Sequence, residues 1–247
     1  MRFGFEGQGC FPTGKHYPGI AHLLRIAASG VADEFDSQTP LAEIPLVAID
    51  TETTGRDPRQ DRIVEIACVV LLGGQIVEQR VWLVNPGRPI PQEAFEVHGI
   101  SDDDVRDKPP FPEVVQELAE ATRDRVPVAY NAEFDQRALL AELERAGTSP
   151  RKKPPAFRPG ICWLDPLVWA RELHKEEKSR SLGAIAELLG VELEKAHRAT
   201  DDAAAAALVL REFFKDKRVP STYAAFVHEQ QRLARLQGEE RMYWRNP

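Results

Sequence analysis

Apolar residues along the chain fall into short continuous runs and longer helical stripes. Pro45–Asp50 (PLVAID) is an apolar run ending in an acid, the pattern of a buried central strand. Arg62–Leu72 (RIVEIACVVLL) predicts a second strand, Gly73-Gly74 a two-residue hairpin turn, and Gln75–Val84 a returning third strand. Val126–Tyr130 reads as strand four and Ile161–Leu164 as strand five. Helical spacing marks Pro91–Val97, closing at His98-Gly99, and Pro112–Thr122, with Val114, Val115, Leu118 and Ala119 inward. It also marks Ala132–Ala146, with Leu139, Leu140 and Leu143 at helical spacing, then Pro166–His174, Ser181–Leu189 and Ala199–Lys215. The expected fold is α/β: a mixed sheet of about five strands, the first three antiparallel, flanked by helices.

Outside this block the pattern changes. Pro18–Val31 predicts one helix with Ile20, Leu23, Leu24 and Ala27 on a face, and a polar stretch from Asp33 to Pro40 follows it. Thr222–Gln237 predicts a polar terminal helix. The chain is thus expected to comprise a helical N-terminal extension (1–42), an α/β domain (43–216) and a helical C-terminal tail (217–247).

Composition narrows the setting. The 247 residues carry a net charge of −7, whereas proteins that hold duplex nucleic acid by neutralising phosphates are usually basic. Any nucleic acid must therefore be held locally, by metal ions or a small basic patch. Arg151, Lys152, Lys153 and Arg158 form the one compact basic cluster, in a Pro-broken loop. No apolar run approaches the ~20 residues of a membrane span, and residues 1–19 lack a basic start and apolar core of a secretory signal. Cys10, Cys68 and Cys162 are far apart, with no C-x-x-C. A cytoplasmic protein with neither zinc ribbon nor disulfide framework is expected.

Acids carry the candidate chemistry. Asp50 and Glu52 stand two apart at the end of the first strand, so period-two alternation puts both on one face. Two carboxylates so close resist ionising unless a cation lies between them. Asp135 falls in the first turn of the helix after strand four, and Glu133 and Phe134 precede it. His197 and Asp202 are five residues apart, about 140° around a continuous helix. They can serve one site only if His197 lies on the loop before the helix that carries Asp202. Hard oxygen donors on rigid elements suit Mg²⁺ or Mn²⁺, and four such acids could hold two ions about 4 Å apart, the arrangement that clamps both oxygens of a phosphoryl transfer.

The motifs Asp50-Thr51-Glu52-Thr53-Thr54-Gly55, Asn131-Ala-Glu-Phe134-Asp135 and His197-Arg-Ala-x-x-Asp202-Ala resemble the DEDD exonucleases, in the subgroup whose fifth residue is His. Phe95-Glu-Val-His98-Gly-Ile100 resembles a sequence that family carries between its first two motifs, and the whole is most similar to the epsilon-type proofreading exonucleases. The resemblance covers about residues 44–214. It implies a ribonuclease H-like sheet and 3′→5′ release of nucleoside 5′-monophosphates from DNA or RNA with two Mg²⁺ or Mn²⁺ ions. It gives Asp50 to both ions, Glu52 and Asp202 to the ion carrying the attacking water, Asp135 to the second, and the general base to His197. Thr51, Thr53, Gly55, Arg56, His98, Asn131 and Phe134 become candidate contacts to the single-stranded 3′ end. Arg56 stands where an apolar wedge is common in that family, and Tyr130 where His is frequent. Proofreading within a polymerase, RNA trimming, oligoribonucleotide clearance and a non-catalytic binding subunit all remain compatible. Gln38-Thr-Pro-Leu41 loosely resembles sliding-clamp peptides, Trp163 and Trp169 read as core, and Tyr243-Trp244 suggests docking on the body or on a partner.

Overall fold

The first four residues of strand β1 (Leu46–Thr53), Leu46, Val47, Ala48 and Ile49, are all apolar and all buried. A strand without alternation must be covered on both faces, and here it is. In the computed structural model, which describes residues 30–147, 153–191 and 199–245, β2 (Ile63–Leu72) and β3 (Gln75–Leu83) follow as an antiparallel meander. Gly73 and Gly74 turn between them, both with positive φ. β4 (Val126–Val128) lies parallel to β1, giving the order β3-β2-β1-β4.

The helices are α1 (Gln92–His98), α2 (Asp102–Val105), α3 (Phe111–Ala121), α4 (Glu133–Ala146), α5 (Pro166–Leu173), α6 (Leu182–Leu188), α7 (Ala199–Phe213) and α8 (Tyr223–Arg245). Alternation along β1 sorts the core. Leu46 and Ala48 pack with residues of α5, α6, α7 and α8, whereas Val47 and Ile49 pack with residues of α3 and α4. The four α3 residues expected to face inward are all buried. The result is the mixed sheet between helices expected of a ribonuclease H-like fold.

The fifth strand is a correction. Leu164 donates its N–H to the Pro127 carbonyl and accepts from Ala129, but this is a single bridge to Val128. In a parallel ladder the next bond would run from the nitrogen of residue 127 to the carbonyl of residue 162, and a proline has no N–H to give. Cys162 instead donates to the Gly30 carbonyl at 2.8 Å. Gly30 has φ +77°, and a Cβ there would stand 2.9 Å from the Cys162 Cβ, so a side chain at this position would be strained in backbone and in space.

The expected N-terminal helix lies mostly outside the described residues, while Gly30 and Val31 are not helical. Val31, Ala32, Leu41 and Ile44 enter the same core as α8. The terminal helix, Tyr223–Arg245, runs longer than expected and is far from wholly polar in contact. Tyr223, Phe226 and Val227 are fully buried, Phe226 stacks on Trp169 at 4.7 Å between ring centres, and the Tyr223 hydroxyl accepts the Ala32 N–H. Pro40 bridges Thr222, Leu41 is buried, and the carbonyls of Ser37 and Thr39 accept N–H groups of α8. The Gln38–Leu41 segment is thus tied to its own chain through Leu41 and the start of α8, with Gln38 exposed. The side chains of Tyr243 and Trp244 lie outside the described residues. No helix among those described is long and apolar enough to cross a membrane.

Candidate active site

The two faces of β1 meet at its C-terminal end, and the acids converge there. Asp50 and Glu52 continue the Leu46–Ala48 side, toward the helix α7 that carries Asp202 in its first turn. Thr51 continues the other side and donates both its N–H (2.9 Å) and its hydroxyl (2.7 Å) to one oxygen of Asp135 on α4. Glu65 on β2 lies directly across from Glu52 and is buried, as the hairpin requires.

Burial pushes the Asp50 carboxyl well above the usual range, and the neighbouring charges of Asp135, Glu52, Asp202 and Glu65 push it further. Burial likewise raises Glu52 to about 7, with Glu65, Asp202 and Asp135 adding to the shift. Asp135 rises to about 7 because it is buried, against the opposing pull of the Thr51 donors. Four of the five residues expected to do chemistry are therefore close enough to feel one another's charge. Among the described residues, no group of three or more His, Cys, Asp or Glu side chains is arranged, as the side chains stand, to hold a metal ion. His197 lies outside the described residues.

A cleft of about 510 Å³ opens beside Glu52, bounded by Thr53, Thr54, Gly55, Arg56 and Phe134 on one side and by Pro91, Ala94, Val97 and His98 on the other. His98 is buried and its Nδ1 accepts the Ile100 N–H at 3.0 Å, which leaves the ring proton on Nε2. Nε2 sits toward the Thr53 carbonyl without completing a well-formed bond, and burial lowers the ring's pKa, keeping it neutral. A second cleft of about 480 Å³, lined by Leu41, Ile44, Leu71, Phe214 and others, lies at the opposite end of β1 and holds no acid.

The sequence profile of a family described as exonuclease, RNase_T, matches residues 47–210. The chain belongs to this exonuclease family. It is 31% identical over 214 residues to the PolC-type DNA polymerase III of Streptococcus suis, covering 83% of this chain but only 14% of the polymerase. Exonuclease X, solved in complex with 5′ overhanging duplex DNA, is 28% identical with a TM-score of 0.57, covering 74% of this chain and 99% of that one. E. coli exonuclease I with a dT13 oligonucleotide shares the fold at 18% identity and a TM-score of 0.60, over 71% of this chain and 42% of that one.

Several exonuclease positions take parts the sequence did not foretell. Thr51, expected among substrate contacts, is buried and spends both donors on Asp135. Thr53 donates its hydroxyl to the Gly55 carbonyl at 2.5 Å. Gly55 has no alternative, since a Cβ there would meet Asp61 Oδ2 at 2.4 Å, and Asp61 itself holds the Asp57 N–H and the Thr54 hydroxyl. Arg56 is exposed at the cleft rim, and Phe134 is half-buried against the cleft rather than in the core. Asn131 adopts φ +69°, a left-handed turn that Asn tolerates better than most residues. Of the basic cluster, Arg151 and Lys152 lie outside the described residues, and Arg158 pairs with Asp33 and Glu34. Trp163 and Trp169 are buried as expected.

Two structural anchors escaped notice altogether. Buried Glu142 on α4 accepts a forked pair of bonds from Arg62 (2.6 and 3.1 Å) and the Ile63 N–H, tying the loop after β1 to α4. Asp165 accepts N–H groups from Asn131 and Ala132 at 3.0 and 3.1 Å. Its only signal in the sequence is an Asp before Pro166, an ordinary helix cap.

Proposed function

We propose that this exonuclease removes nucleotides singly from the 3′ end of DNA, releasing nucleoside 5′-monophosphates by hydrolysis. What carries the reading is the mutual charge coupling of Asp50, Glu52, Asp135 and Asp202 beside an open cleft. Among the described residues the coupled donor set is all carboxylate oxygen, so it suits Mg²⁺ or Mn²⁺ better than zinc. Asp50, Glu52, Asp135 and Asp202 would hold two such ions, whose charge offsets the repulsion among the acids and the negative charge gathering on the phosphodiester.

The chain's own residues do the rest. The β1 ladder fixes Asp50 and Glu52, and the paired Thr51 bonds fix Asp135. Arg56, Phe134 and Val97 present a guanidinium plane and apolar surface on which an unpaired base can rest. Neutral His98 offers an Nε2–H to the sugar end of the terminal nucleotide. His197, by its place in the third motif, takes the proton of the attacking water. DNA is favoured over RNA because the similar proteins named above are a DNA polymerase and two exonucleases solved with DNA. The likeness to a DNA polymerase supports work alongside a polymerase, and Cys68 and Cys162, both free among the described residues, fit a cytoplasmic setting.

The test is incubation with single-stranded DNA, 3′-mismatched duplex and RNA, each in Mg²⁺ and in Mn²⁺. Both DNA substrates should shorten from the 3′ end with release of 5′-monophosphates, and Asp50→Ala should abolish the loss. Faster loss of RNA would move the assignment to RNA trimming. No turnover on any polymer would leave only a binding subunit.

A further inference from the structure

Helix α4 carries Asp135 in its first turn, yet its first residue is preceded by Ala132, which offers no side-chain cap. The turn that launches the helix is secured from elsewhere. The Asp165 carboxylate takes the Asn131 N–H on Oδ1 and the Ala132 N–H on Oδ2. The same Oδ1 also accepts the Leu167 N–H at 2.9 Å, capping α5. One side chain therefore joins the start of α5 to the left-handed turn that aims α4.

Asp165 is itself held by the C-terminal helix. Gln230 on α8 is buried, and its Oε1 accepts the Asp165 N–H at 2.8 Å. Its Nε2 donates to the Trp163 carbonyl at 2.8 Å, with Cys162 Sγ at 3.3 Å. The Gln230 amide thus grips the segment 162–165 from the side opposite β4, much as a neighbouring strand would. The other edge of that segment carries the Leu164 bridge and the Cys162 bond to the Gly30 carbonyl, so among the described residues few other backbone bonds fix where Asp165 stands.

We propose that Gln230 and Asp165 form a positioning relay through which the C-terminal helix sets the placement of the Asp135 carboxylate. The proposal rests on the cation-holding role given to Asp135 above. The side chain of Asp135 is pinned to β1 by Thr51, and its backbone is pinned through the Asn131–Ala132 turn to Asp165. Placement then depends on both ends, and loosening the second lets the carboxylate drift while the core stays packed. Reactions that require aligned groups are steep in such displacements, with ~1 Å worth up to ~10²-fold in rate.

The experiment uses the full chain as wild type, Asp165→Ser, Asp165→Asn and Gln230→Met. Serine can still cap α5 but is too short to hold the Asn131–Ala132 turn as well. Asparagine must set an amide nitrogen against one of the N–H groups that the carboxylate accepts. Methionine keeps the volume of Gln230 without its amide. Each chain is compared for Mn²⁺ affinity by electron paramagnetic resonance, for kcat and KM on a labelled single-stranded oligonucleotide, and for thermal midpoint.

Asp165→Ser and Gln230→Met should lower kcat by roughly 10-fold and weaken Mn²⁺ binding severalfold, with KM for the oligonucleotide nearly unchanged. Asp165→Asn should fall between them and wild type. Variants that melt earlier but bind Mn²⁺ and turn over like wild type, at a temperature where all are folded, would reduce the two residues to stability alone and overturn the relay. Should Asp165→Ser fail to fold, Asp165→Asn and Gln230→Met decide by the same criteria. A wild-type chain that neither binds Mn²⁺ nor shortens DNA would overturn the cation site itself, a result distinct from an active enzyme indifferent to these substitutions.

Discussion

Each acidic residue at the site is defined by what surrounds it more than by its own chemistry. Asp50, Glu52 and Asp135 would each be ordinary surface carboxylates near pKa 4 in an open chain. Packed at the end of β1, they shift upward together because burial and mutual repulsion penalise every charge. Asp202 and His197 are separated by the same logic. A carboxylate in the cluster should matter for ion binding, whereas a base should matter for turnover alone. Asp202→Ala is expected to weaken Mn²⁺ binding as well as rate. His197→Ala is expected to keep Mn²⁺ affinity while losing ~10²–10⁴-fold in kcat. Calorimetric Mn²⁺ titration beside single-turnover kinetics separates the two. Loss of affinity in His197→Ala, or unchanged affinity in Asp202→Ala, would reverse the assignments.

Between elements, the site depends on a few long-range polar contacts that join β1 to the helices around it. The loop from Thr54 to Arg62 forms one cleft wall, and Asp61 organises it from within. From outside it is fastened to α4 by Arg62 and Glu142. The Glu142 side chain is 2% exposed while that of Arg62 is 29% exposed, so the pair is one-sidedly buried and removing the arginine leaves a carboxylate without its main partner. Arg145, at 3.1 Å, compensates in part. Arg62→Met should therefore cost about 2–4 kcal/mol in urea unfolding, at the lower part of the range for breaking a buried pair. It should also raise KM for DNA through the loosened wall. A change below about 0.5 kcal/mol, the size expected of a surface substitution, would show that the pair does not anchor the loop.

For the whole molecule, the clustered acids make stability depend on pH and on cations. Folded Glu52 binds its proton more tightly than the unfolded chain does. Without a cation the fold is therefore favoured at low pH and penalised increasingly as pH climbs from near 4.5 to about 7, beyond which the penalty levels off. Asp50 and Asp135 act in the same direction. In chelator, the thermal midpoint should fall between pH 5 and pH 8. Mn²⁺, which binds the ionised acids of the folded form, should raise the midpoint more at pH 8 than at pH 5. Equal Mn²⁺ shifts at both pH values would mean that the acids do not share a cation.

Local signals in the chain carried much of this. The continuous apolar run before Asp50 can only be a strand covered twice, Gly73-Gly74 can only turn tightly, and the stripe of Val114, Val115, Leu118 and Ala119 can only face a core. These are consequences of backbone geometry and burial within a dozen residues, so they survive without knowledge of the rest. The spacing of Asp50 and Glu52 likewise puts both on one face of a strand whatever the rest of the chain does. What spacing could not supply was long-range. That Thr51 serves Asp135 rather than a substrate, that Pro127 denies a partner to strand five, and that a polar-looking terminal helix buries Tyr223, Phe226 and Gln230 are facts about residues far apart in the chain. Hydrogen bonds and packing are decided by distance in space, and only the closed fold brings Gln230, Asp165 and Asn131 within bonding reach of one another.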